Sequence, residues 1–410
     1  ATNDPGTNEA SPNWRADLDQ STRTDPRDSD SDGDGRSDGA EDANRNGRFD
    51  ANEANPLDRD TDDDGLLDGY RWEWTGDSDG DGTVNVRDPD SDNDGLPDGL
   101  EAGFATPHSA GTSDWLGIAY LGTDTSSPFY TADADTATIT DPTRADTDND
   151  GLSDSVEDAD RDGLRDGSET DPRDRDSDDD GIMDGDEVAG TLGFVTDATD
   201  WDTDNDGLSD GLEQGVTVAV AAHTYNNIIS FSNPGTNLAS PHFMIDAQPG
   251  SKTDPLDDDS DDDGILDGNE DSDRDGLRDA IESDPNRFDT DGDGLSDGLE
   301  IGLSAPQGTD TDPTKFRADS DPSTTTLAYD ADTDNDGLPD GFEDRDKDGA
   351  VDAGAWNAGT GPGECDSNDP DSDDGGVPDG YEVNNFMDPL NPIDDTVDFD
   401  GDGLSNEDEY

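Results

Sequence analysis

Acidic side chains recur in this chain at the spacing that a calcium-binding loop requires. In the twelve residues from Asp146 to Glu157, acids stand at positions 1, 3, 5, 9 and 12. Ca²⁺ takes six to eight oxygen ligands at roughly 2.3–2.6 Å, and this spacing supplies carboxylates from one tightly wound segment, with the carbonyl of Leu152 added. Gly151 stands at position 6, where the turn needs a positive φ that glycine adopts at least cost. The segment predicts a calcium loop.

The same template recurs along the whole chain, and internal repetition of this kind defines an architecture. Fourteen loops keep Asp or Asn at positions 1, 3, 5 and 9, Gly at 6 and an acid at 12, or miss only one of these. The predicted ligands are the side chains at those positions and the carbonyl at position 7. Loop by loop they are Asp30, Asp32, Asp34, Arg36, Asp38, Glu41; Asp42, Asn44, Asn46, Arg48, Asp50, Glu53; Asp60, Asp62, Asp64, Leu66, Asp68; Asp77, Asp79, Asp81, Thr83, Asn85, Asp88; Asp90, Asp92, Asp94, Leu96, Asp98, Glu101; Asp146, Asp148, Asp150, Leu152, Asp154, Glu157; Asp158, Asp160, Asp162, Leu164, Asp166, Glu169; Asp176, Asp178, Asp180, Ile182, Asp184, Glu187; Asp202, Asp204, Asp206, Leu208, Asp210, Glu213; Asp259, Asp261, Asp263, Ile265, Asp267, Glu270; Asp271, Asp273, Asp275, Leu277, Asp279, Glu282; Asp289, Asp291, Asp293, Leu295, Asp297, Glu300; Asp332, Asp334, Asp336, Leu338, Asp340, Glu343; and Asp398, Asp400, Asp402, Leu404, Asn406, Glu409.

Three loops depart from the template. Two altered loops bring the total to sixteen: one contributes Asp344, Asp346, Asp348, Ala350 and Asp352 and has Ala355 at position 12, and the other contributes Asp371, Asp373, Val377, Asp379 and Glu382 and has Gly375 at position 5. The loop from Asp60 carries Arg71 at position 12, and Glu73 is its nearest acidic substitute.

Composition alone is typical of a disordered acidic chain. Asp and Glu number 113 against 22 Lys and Arg, the formal charge is −91, and hydrophobic residues make up 26%. So little apolar surface cannot offset the entropy of ordering the backbone. A disordered chain does not require Gly and Asp at fixed spacing, however. We therefore expect bound metal to take the place of a hydrophobic core. Sixteen divalent ions would still leave the charge at −59, so either further ions bridge neighbouring loops or the residual field keeps the surface solvated.

The calcium requirement and the charge restrict compartment and partners. Weak calcium sites fill outside the cell, where modules work at around 10⁻⁴–10⁻³ M, so we expect a secreted or cell-surface protein. No signal peptide is visible, and a chain that begins at Ala1 fits a mature form. No twenty-residue apolar run predicts a membrane span, and the negative charge argues against nucleic acid. The single Cys365 is either a free thiol or an intermolecular link.

A longer repeat encloses the short ones. Gly6–Trp14 and Gly235–Phe243 nearly coincide in sequence, and Gly122–Tyr130 and Gly308–Phe316 repeat the outline. In all four the aromatic residue precedes a calcium loop by sixteen residues, and an Asp follows it by three: Asp17, Asp133, Asp246 and Asp319. This predicts four modules, at 1–121 with an insertion at 102–121, 122–234 with a hairpin-like insertion from 214, 235–307 and 308–410.

The regular structure predicted for these modules is slight. An apolar residue at position 7 and another four residues later suit one helical turn folded over each loop. The insertions at 102–129 and, more clearly, 214–241 lose the acids and are predicted to form β-hairpins. In the second, apolar residues alternate at Val216, Val218 and Val220, and then at Ile229 and Phe231 beyond a polar break at 224–227. The second loop of each module carries a base at position 4, for which charge relief on a solvated face is favoured over partner binding: Arg45, Arg161, Arg274 and Lys347.

With Asp-x-Asp-x-Asp-Gly-Leu-x-Asp-Gly-x-Glu loops and Thr-Asp-Pro connectors, the chain resembles thrombospondin type 3 repeat proteins in their bacterial form. The resemblance implies a mostly irregular fold, in which the backbone wraps a string of calcium ions, in a secreted or cell-surface protein. We therefore expect elongated, calcium-stabilised tandem repeats with short helical turns and a few β-hairpins. Three loops instead resemble EF-hand or dockerin loops because they place the apolar residue at position 8: Phe49, Val84 and Val351.

An enzyme is disfavoured. The three histidines, His108, His223 and His242, lie in the insertions and outside any ligand spacing, and no nucleophile motif accompanies them. The leading hypothesis is an extracellular structural protein, a calcium-rigidified rod that acts as a surface stalk or assembles head to tail into a filament. The alternative is a calcium-dependent adhesin that binds a surface ligand through the insertions at 102–129 and 214–241. Calcium buffering ranks last because it depends on charge alone.

Overall fold

The computed structural model describes residue 15 and residues 17–71, 73–226, 230–356 and 361–410, apart from the side chains of 225, 226, 230 and 231. The predicted first repeat at Gly6–Trp14 and Ile229 lie outside these ranges. In the described part of the chain the backbone is mostly turns, bends and irregular segments. Its α-helices are α1 (Asp38–Glu41), α2 (Asp98–Glu101), α3 (Asp154–Glu157), α4 (Asp184–Ala189), α5 (Asp210–Glu213), α6 (Asp267–Glu270), α7 (Asp297–Glu300), α8 (Asp340–Glu343), α9 (Asp379–Asn384) and α10 (Asn406–Glu409), with 3₁₀ turns at Gln20–Thr22, Asp68–Tyr70 and Asn85–Arg87.

Each α-helix begins at position 9 of a loop, and most end at position 12. Position 8 is extended, as at Ser209, whose hydroxyl accepts a hydrogen bond from the amide of Leu212. Four residues form only one hydrogen-bonded turn, which is too short to be stable alone. The loops must therefore hold these turns in place.

Two small antiparallel sheets account for the strands of the described residues. Strand β1 (Gly111–Thr112) pairs with β2 (Ala119–Tyr120), and β3 (His223–Asn226) pairs with β4 (Ser230–Asn233). The first pair confirms the hairpin predicted within 102–129. The second hairpin was expected with one strand at Val216–Val220, and that placement is wrong because β3 occupies the polar stretch instead. The backbone of Val216 is engaged elsewhere: its N–H donates to Gly211 at 2.8 Å and its carbonyl accepts from Asp246 at 3.1 Å.

The chain divides into two compact units. The described residues of Ala1–Ser177, Met183–Asp186 and Val220–Thr236 form the first, and those of Asp178–Ile182, Glu187–Ala219 and Asn237–Tyr410 form the second. The predicted division into four modules stays a prediction. Among the described residues, no helix has the length and apolar character needed to cross a bilayer.

Buried carboxylates make up much of the interior of both units. The position 7 and position 11 residues form small apolar pairs, for example Leu96 with Leu100 and Leu295 with Leu299, all at most 4% exposed. Of the twelve largest side chains that are almost completely buried, eight are glutamates: Glu41, Glu53, Glu157, Glu187, Glu213, Glu270, Glu300 and Glu343. Buried carboxylates are costly unless hydrogen bonds or cations compensate them, so their surroundings define the site.

Candidate metal centres

All sixteen predicted loops share one backbone conformation. Position 6 is glycine with φ between 71° and 111° in every loop, as predicted, and position 4 is left-handed in every loop, with φ between 58° and 85°. The position 4 residues are Gly33, Arg45, Asp63, Gly80, Asn93, Asn149, Arg161, Asp179, Asn205, Asp262, Arg274, Gly292, Asn335, Lys347, Asp374 and Gly401. Twelve non-glycine residues in this uncommon region show that the loop imposes the conformation. The two altered loops share it, so neither altered position disrupts the turn.

Backbone amides orient the acids at positions 1, 3 and 5. In the loop from Asp146, the Gly151 amide donates to Asp146 Oδ2 at 3.3 Å, and the Asp150 amide donates to Asp148 Oδ1 at 3.0 Å. The Leu152 amide donates to Asp150 Oδ1 at 2.7 Å. Ligand oxygens of the three acids then lie within 4.8 Å of one another in loops such as Asp30, Asp32 and Asp34, or Asp60, Asp62 and Asp64. These amides hold the three carboxylates close together.

The acid at position 9 closes the loop from the far side. Asp154 Oδ1 accepts from the Thr147 amide at 2.8 Å, and its Oδ2 accepts from the Thr147 hydroxyl at 2.7 Å. The same pair recurs where Thr203 donates to Asp210 and where Thr333 donates to Asp340. Position 2, which carried no sequence prediction, is therefore the residue that orients position 9.

The glutamate at position 12 faces a junction between two loops. Oxygens of Asp34, Glu41 and Asp68 lie within 4.8 Å of one another, so positions 5 and 12 of one loop meet position 9 of a later loop. Burial and the nearby Asp32 and Asp34 carboxylates raise the pKa of Glu41 to about 10. Neither oxygen of Glu41 has a hydrogen-bond partner among the described residues. Each such junction is a second carboxylate cluster beside the one inside the loop.

We call ten loops the main loops: those from Asp30, Asp60, Asp90, Asp146, Asp176, Asp202, Asp259, Asp289, Asp332 and Asp371. Within each unit one contact between main loops recurs, in which the amide at position 10 of a main loop donates to the position 5 carboxylate of the main loop before it. Seven main loops make this contact, those from Asp146, Asp176, Asp202, Asp259, Asp289, Asp332 and Asp371. In the first unit Gly185 donates to Asp150 at 2.9 Å, and in the second unit Gly268 donates to Asp206 at 2.8 Å. A Cβ at position 10 would collide with the position 5 carbonyl, as at Gly99, Gly211 and Gly298.

The loop from Asp176 to Glu187 contributes residues to both units, and each unit keeps its own contacts. In the first, the amide of Ser177 donates to Asp184 at 2.7 Å. In the second, the amide of Gly211 donates to Asp180 at 2.6 Å.

The side loops, from Asp42, Asp158, Asp271 and Asp344, turn their glutamate inward. Glu169 Oε1 accepts from the Ala159 amide at 2.8 Å, and its Oε2 accepts from the Asp166 amide at 3.1 Å. Asp133 lies against Gly163 of this loop, and its Oδ2 is buried with no partner among the described residues. Burial and the nearby Asp135 and Asp158 carboxylates raise the pKa of Asp133. Asp17, Asp246 and Asp319 lie against the equivalent glycines of the other side loops.

The bases at position 4 of three side loops, Arg161, Arg274 and Lys347, reach back to an earlier main loop. Lys347 Nζ donates to the Gly294 carbonyl. A Cβ at Gly95 would lie 2.9 Å from Arg161, and one at Gly207 would lie 2.6 Å from Arg274. These side chains therefore pack on position 6 of another loop, a structural contact that neither sequence alternative described.

Both altered loops recover the missing acid from later in the chain. In the loop from Asp344, Glu364 accepts from the Arg345 amide at 2.9 Å and the Asp352 amide at 3.0 Å, as Glu169 does in its own loop. In the loop from Asp371, the completely buried carboxylate of Asp395 occupies the place that a side chain at Gly375 would take. Burial, followed by the proximity of Asp395, raises the pKa of Glu382 to about 10.

Arg71 fills the junction of the loop from Asp60 with a positive charge. Its Nη2 donates to Asp62 at 2.6 Å and to Asp64 at 2.7 Å, and its Nη1 donates to Asp98 of the next main loop. All four side chains are at least 96% buried. Arg71, rather than Glu73, therefore takes the position 12 place.

These observations test whether a cation fits the sites. Buried oxygens at position 3 have no partner among the described residues in loops such as those of Asp32, Asp92, Asp148 and Asp261. Burial and adjacent acids raise the pKa of Asp148 to about 8. Inside the loops the clustered ligand atoms are carboxylate oxygens, the set that a hard cation such as Ca²⁺ takes, and the Arg71 guanidinium stands at the junction of the Asp60 loop. The residues present therefore fit calcium at positions 1, 3 and 5 within a loop and at positions 5, 12 and 9 across a junction, and the individual ligand assignments stay predictions.

Two loops, from Asp77 and Asp398, belong to neither the main nor the side loops. The loop from Asp77 gathers Asp77, Asp79 and Asp81 within 4.8 Å, with the first and last exposed. The loop from Asp398 is also exposed, and 48% of the surface of Leu404 is accessible. Their acids meet solvent, so weaker cation binding is expected there.

The fold and sites define a repeat protein built on acidic, calcium-loop-like turns. The family model of the bacterial TSP3 repeat matches residues 90–102, 146–160, 202–214, 289–301 and 332–346, so the chain contains five bacterial TSP3 repeats and the predicted resemblance is confirmed. The matched segments cover five of the main loops. No curated protein and no solved structure matches the chain.

Proposed function

We propose that this chain is an extracellular structural protein, a rod that calcium makes rigid and that serves as a surface stalk or as the subunit of a filament. The observation that best supports this proposal is the contact between main loops. In it the position 10 amide of one loop donates to the position 5 carboxylate of the main loop before it. Such a contact is heterologous, so it adds repeats without closing on itself. The TSP3 repeats support calcium as the ion that compensates the buried carboxylates.

A groove in the first unit supports assembly between copies. It is bounded by Thr22, Thr24, Gly47 and Pro56 and contains a cavity of about 360 Å³. Three equivalent grooves keep cavities of only about 20–30 Å³, because the leucines at positions 7 and 11 of a preceding main loop occupy them. The leucine pairs of the chain already fill these three grooves, so another exposed apolar residue of a second copy must fill the fourth, and Leu404 of the loop from Asp398 is 48% exposed.

The hydroxyl of Thr24 gives the groove a hydrogen-bond donor for a position 12 glutamate. Its counterparts Thr140 and Thr253 donate to the position 12 glutamates Glu101 and Glu213 at 3.1 Å and 2.9 Å. The loop from Asp398 of another copy would bring both the exposed Leu404 and a position 12 glutamate, Glu409. We infer head-to-tail docking of this groove on such a loop.

Small-angle scattering with calcium and after chelation tests the rod. A disordered chain of this length has a radius of gyration of roughly 70 Å, and a globular one roughly 22 Å. We expect a stiff, constant cross-section with calcium and its loss on chelation. An unchanged scattering profile after chelation would overturn the calcium-stabilised rod.

Electron microscopy at millimolar calcium tests the assembly. We expect filaments for the natural chain and isolated particles for Thr24→Arg, which fills the groove. Thr83→Arg is the matched control, because arginine already stands at this loop position in Arg36 and Arg48. Isolated particles for the natural chain would count against the filament, and filaments for Thr24→Arg would count against docking in this groove.

An adhesin is the second candidate, and the first hairpin favours it. Ser113 donates to the buried Asp25 at 3.0 Å and so fixes the turn between β1 and β2, while Trp115 and Leu116 are 67% and 56% exposed. An exposed tryptophan on an anchored turn suits ligand contact. Replacing both side chains by serine separates the hypotheses: an adhesin loses surface binding with its rod intact, whereas a stalk or filament is unaffected.

A further inference from the structure

Cys365 occupies a place that a hydroxyl residue holds in most of the other repeats. At the equivalent connector positions, Thr170 donates to Glu157 Oε1 at 3.0 Å and Thr326 donates to Glu300 Oε1 at 3.1 Å. Each hydroxyl therefore satisfies one oxygen of a junction glutamate. Cys365 is a free thiol with 1% of its surface exposed.

The exchange of hydroxyl for thiol leaves the junction glutamate without its donor. Glu343 is completely buried, and neither Oε1 nor Oε2 has a hydrogen-bond partner among the described residues. In the loops that keep threonine, such as those of Glu157 and Glu300, only Oε2 lacks one. Ligand atoms of Glu343, Cys365 and Asp379 all lie within 4.8 Å of one another.

We propose that Glu343, Cys365 and Asp379 form a site for a thiophilic divalent cation such as Zn²⁺ or Cd²⁺. Sulfur is a poor ligand for Ca²⁺, which takes six to eight oxygens, whereas zinc binds cysteine sulfur together with carboxylate oxygen in four-coordinate sites. Binding forms a metal–thiolate bond and releases the thiol proton to solvent. This inference goes beyond the structural role, because it assigns one junction a different ion.

Cadmium titration of the calcium-loaded chain tests the site. Cadmium thiolates absorb in the ultraviolet by charge transfer, and the chain has one cysteine, so the signal reports this junction alone. We expect the absorption to saturate at one equivalent of cadmium. Zinc should compete it away, and added calcium should not.

Cys365→Thr is the matched variant, because threonine is the natural residue at the equivalent junctions. It should lose the absorption and the tight zinc-binding step while the calcium-dependent circular dichroism and scattering profile stay unchanged. Absence of charge transfer in the natural chain, or equal zinc affinity in the variant, would overturn the proposal. Since the dichroism reports calcium binding separately, failure here is distinguishable from failure of the calcium-stabilised fold.

Discussion

Arg71 Nη2 donates to Asp64 Oδ2 at 2.7 Å with both side chains buried, so this junction contains a cation that belongs to the chain itself. The other main-loop junctions present a glutamate there, as Glu41 does beside Asp34 and Asp68. A guanidinium that satisfies three buried carboxylates also supplies directional hydrogen bonds. The junction that Arg71 fills, between the loops from Asp60 and Asp90, is therefore the one expected to persist when calcium is scarce.

Arg71→Glu should create a calcium site. It replaces the internal cation by the acid found at the other junctions, so we expect one additional bound calcium by equilibrium dialysis. Arg48→Glu is the control, because the Arg48 side chain is 59% exposed and makes only a 3.3 Å ion pair with Asp50. An unchanged calcium stoichiometry in Arg71→Glu would contradict the role of Arg71 as an internal cation.

In chelator, Arg71→Met should lower the free energy of unfolding by roughly 3–5 kcal/mol, because the buried carboxylates lose their partner.

Without calcium, compaction should be lost as pH rises. Burial, followed by neighbouring aspartates, raises the pKa of Glu41, Glu300 and Glu343 to about 10 each. A pKa raised above its unfolded value of 4.5 means that the folded state binds extra protons. Its stabilising contribution is present below pH 4.5 and disappears as pH rises toward 10.

Scattering in chelator across pH 4–10 measures this dependence. We expect expansion with rising pH in chelator and a nearly constant profile in saturating calcium, because calcium replaces the protons. Equal compaction of the chelated chain at pH 5 and pH 9 would be inconsistent with the buried acids.

Gly298→Ala should weaken the contact between main loops. The Gly298 amide donates to Asp263 at 2.9 Å, and an added Cβ would meet the Asp263 carbonyl oxygen. We expect a loss of about 1–3 kcal/mol in calcium, measured by thermal unfolding. Gly39→Ala is the matched control, because Gly39 also stands at position 10 and a Cβ there meets nothing within 4 Å. It should be neutral or stabilising by up to about 1 kcal/mol, since alanine favours a helical turn.

Asp395→Asn should impair calcium binding by the loop from Asp371. Asp395 supplies the carboxylate that Gly375 lacks, so an amide in its place reduces both charge and ligand strength. Calorimetric titration should show one fewer tight site. Asp374→Asn is the control, because Asn93, Asn149 and Asn335 occupy the same loop position elsewhere. If both variants retain the full stoichiometry, Asp395 is not a ligand.

Contacts within a loop were predictable from sequence because they span few residues. Spacing alone placed Asp146, Asp148 and Asp150 together and required the positive φ of Gly151. Contacts between loops were not predictable, because they depend on how loops dock: Asp395 and Glu364 compensate for alterations at Gly375 and Ala355, which lie 20 and 9 residues earlier. The sequence did contain one sign of this docking, the glycine at position 10 in Asp-Gly-x-Glu, as at Gly298. Its role becomes clear only when another loop lies against it.

The predicted placement of the second hairpin was wrong for a related reason. Alternation at Val216, Val218 and Val220 is typical of a strand, yet the backbone of Val216 is bonded to Gly211 and Asp246, and Val218 is 75% exposed. Tertiary hydrogen bonds override a short alternating pattern. The Asp133 carboxylate beside its side loop was visible in sequence only as an acid three residues after an aromatic.

An interior that contains many buried carboxylates has a thermal consequence. Exposing apolar surface on unfolding raises the heat capacity, whereas exposing polar surface lowers it. Melting this chain releases mostly carboxylates and peptide groups to water, so its heat-capacity increment per residue should be small. Its stability would then vary little between cold and warm surroundings and would follow the dissolved ions far more closely than the temperature.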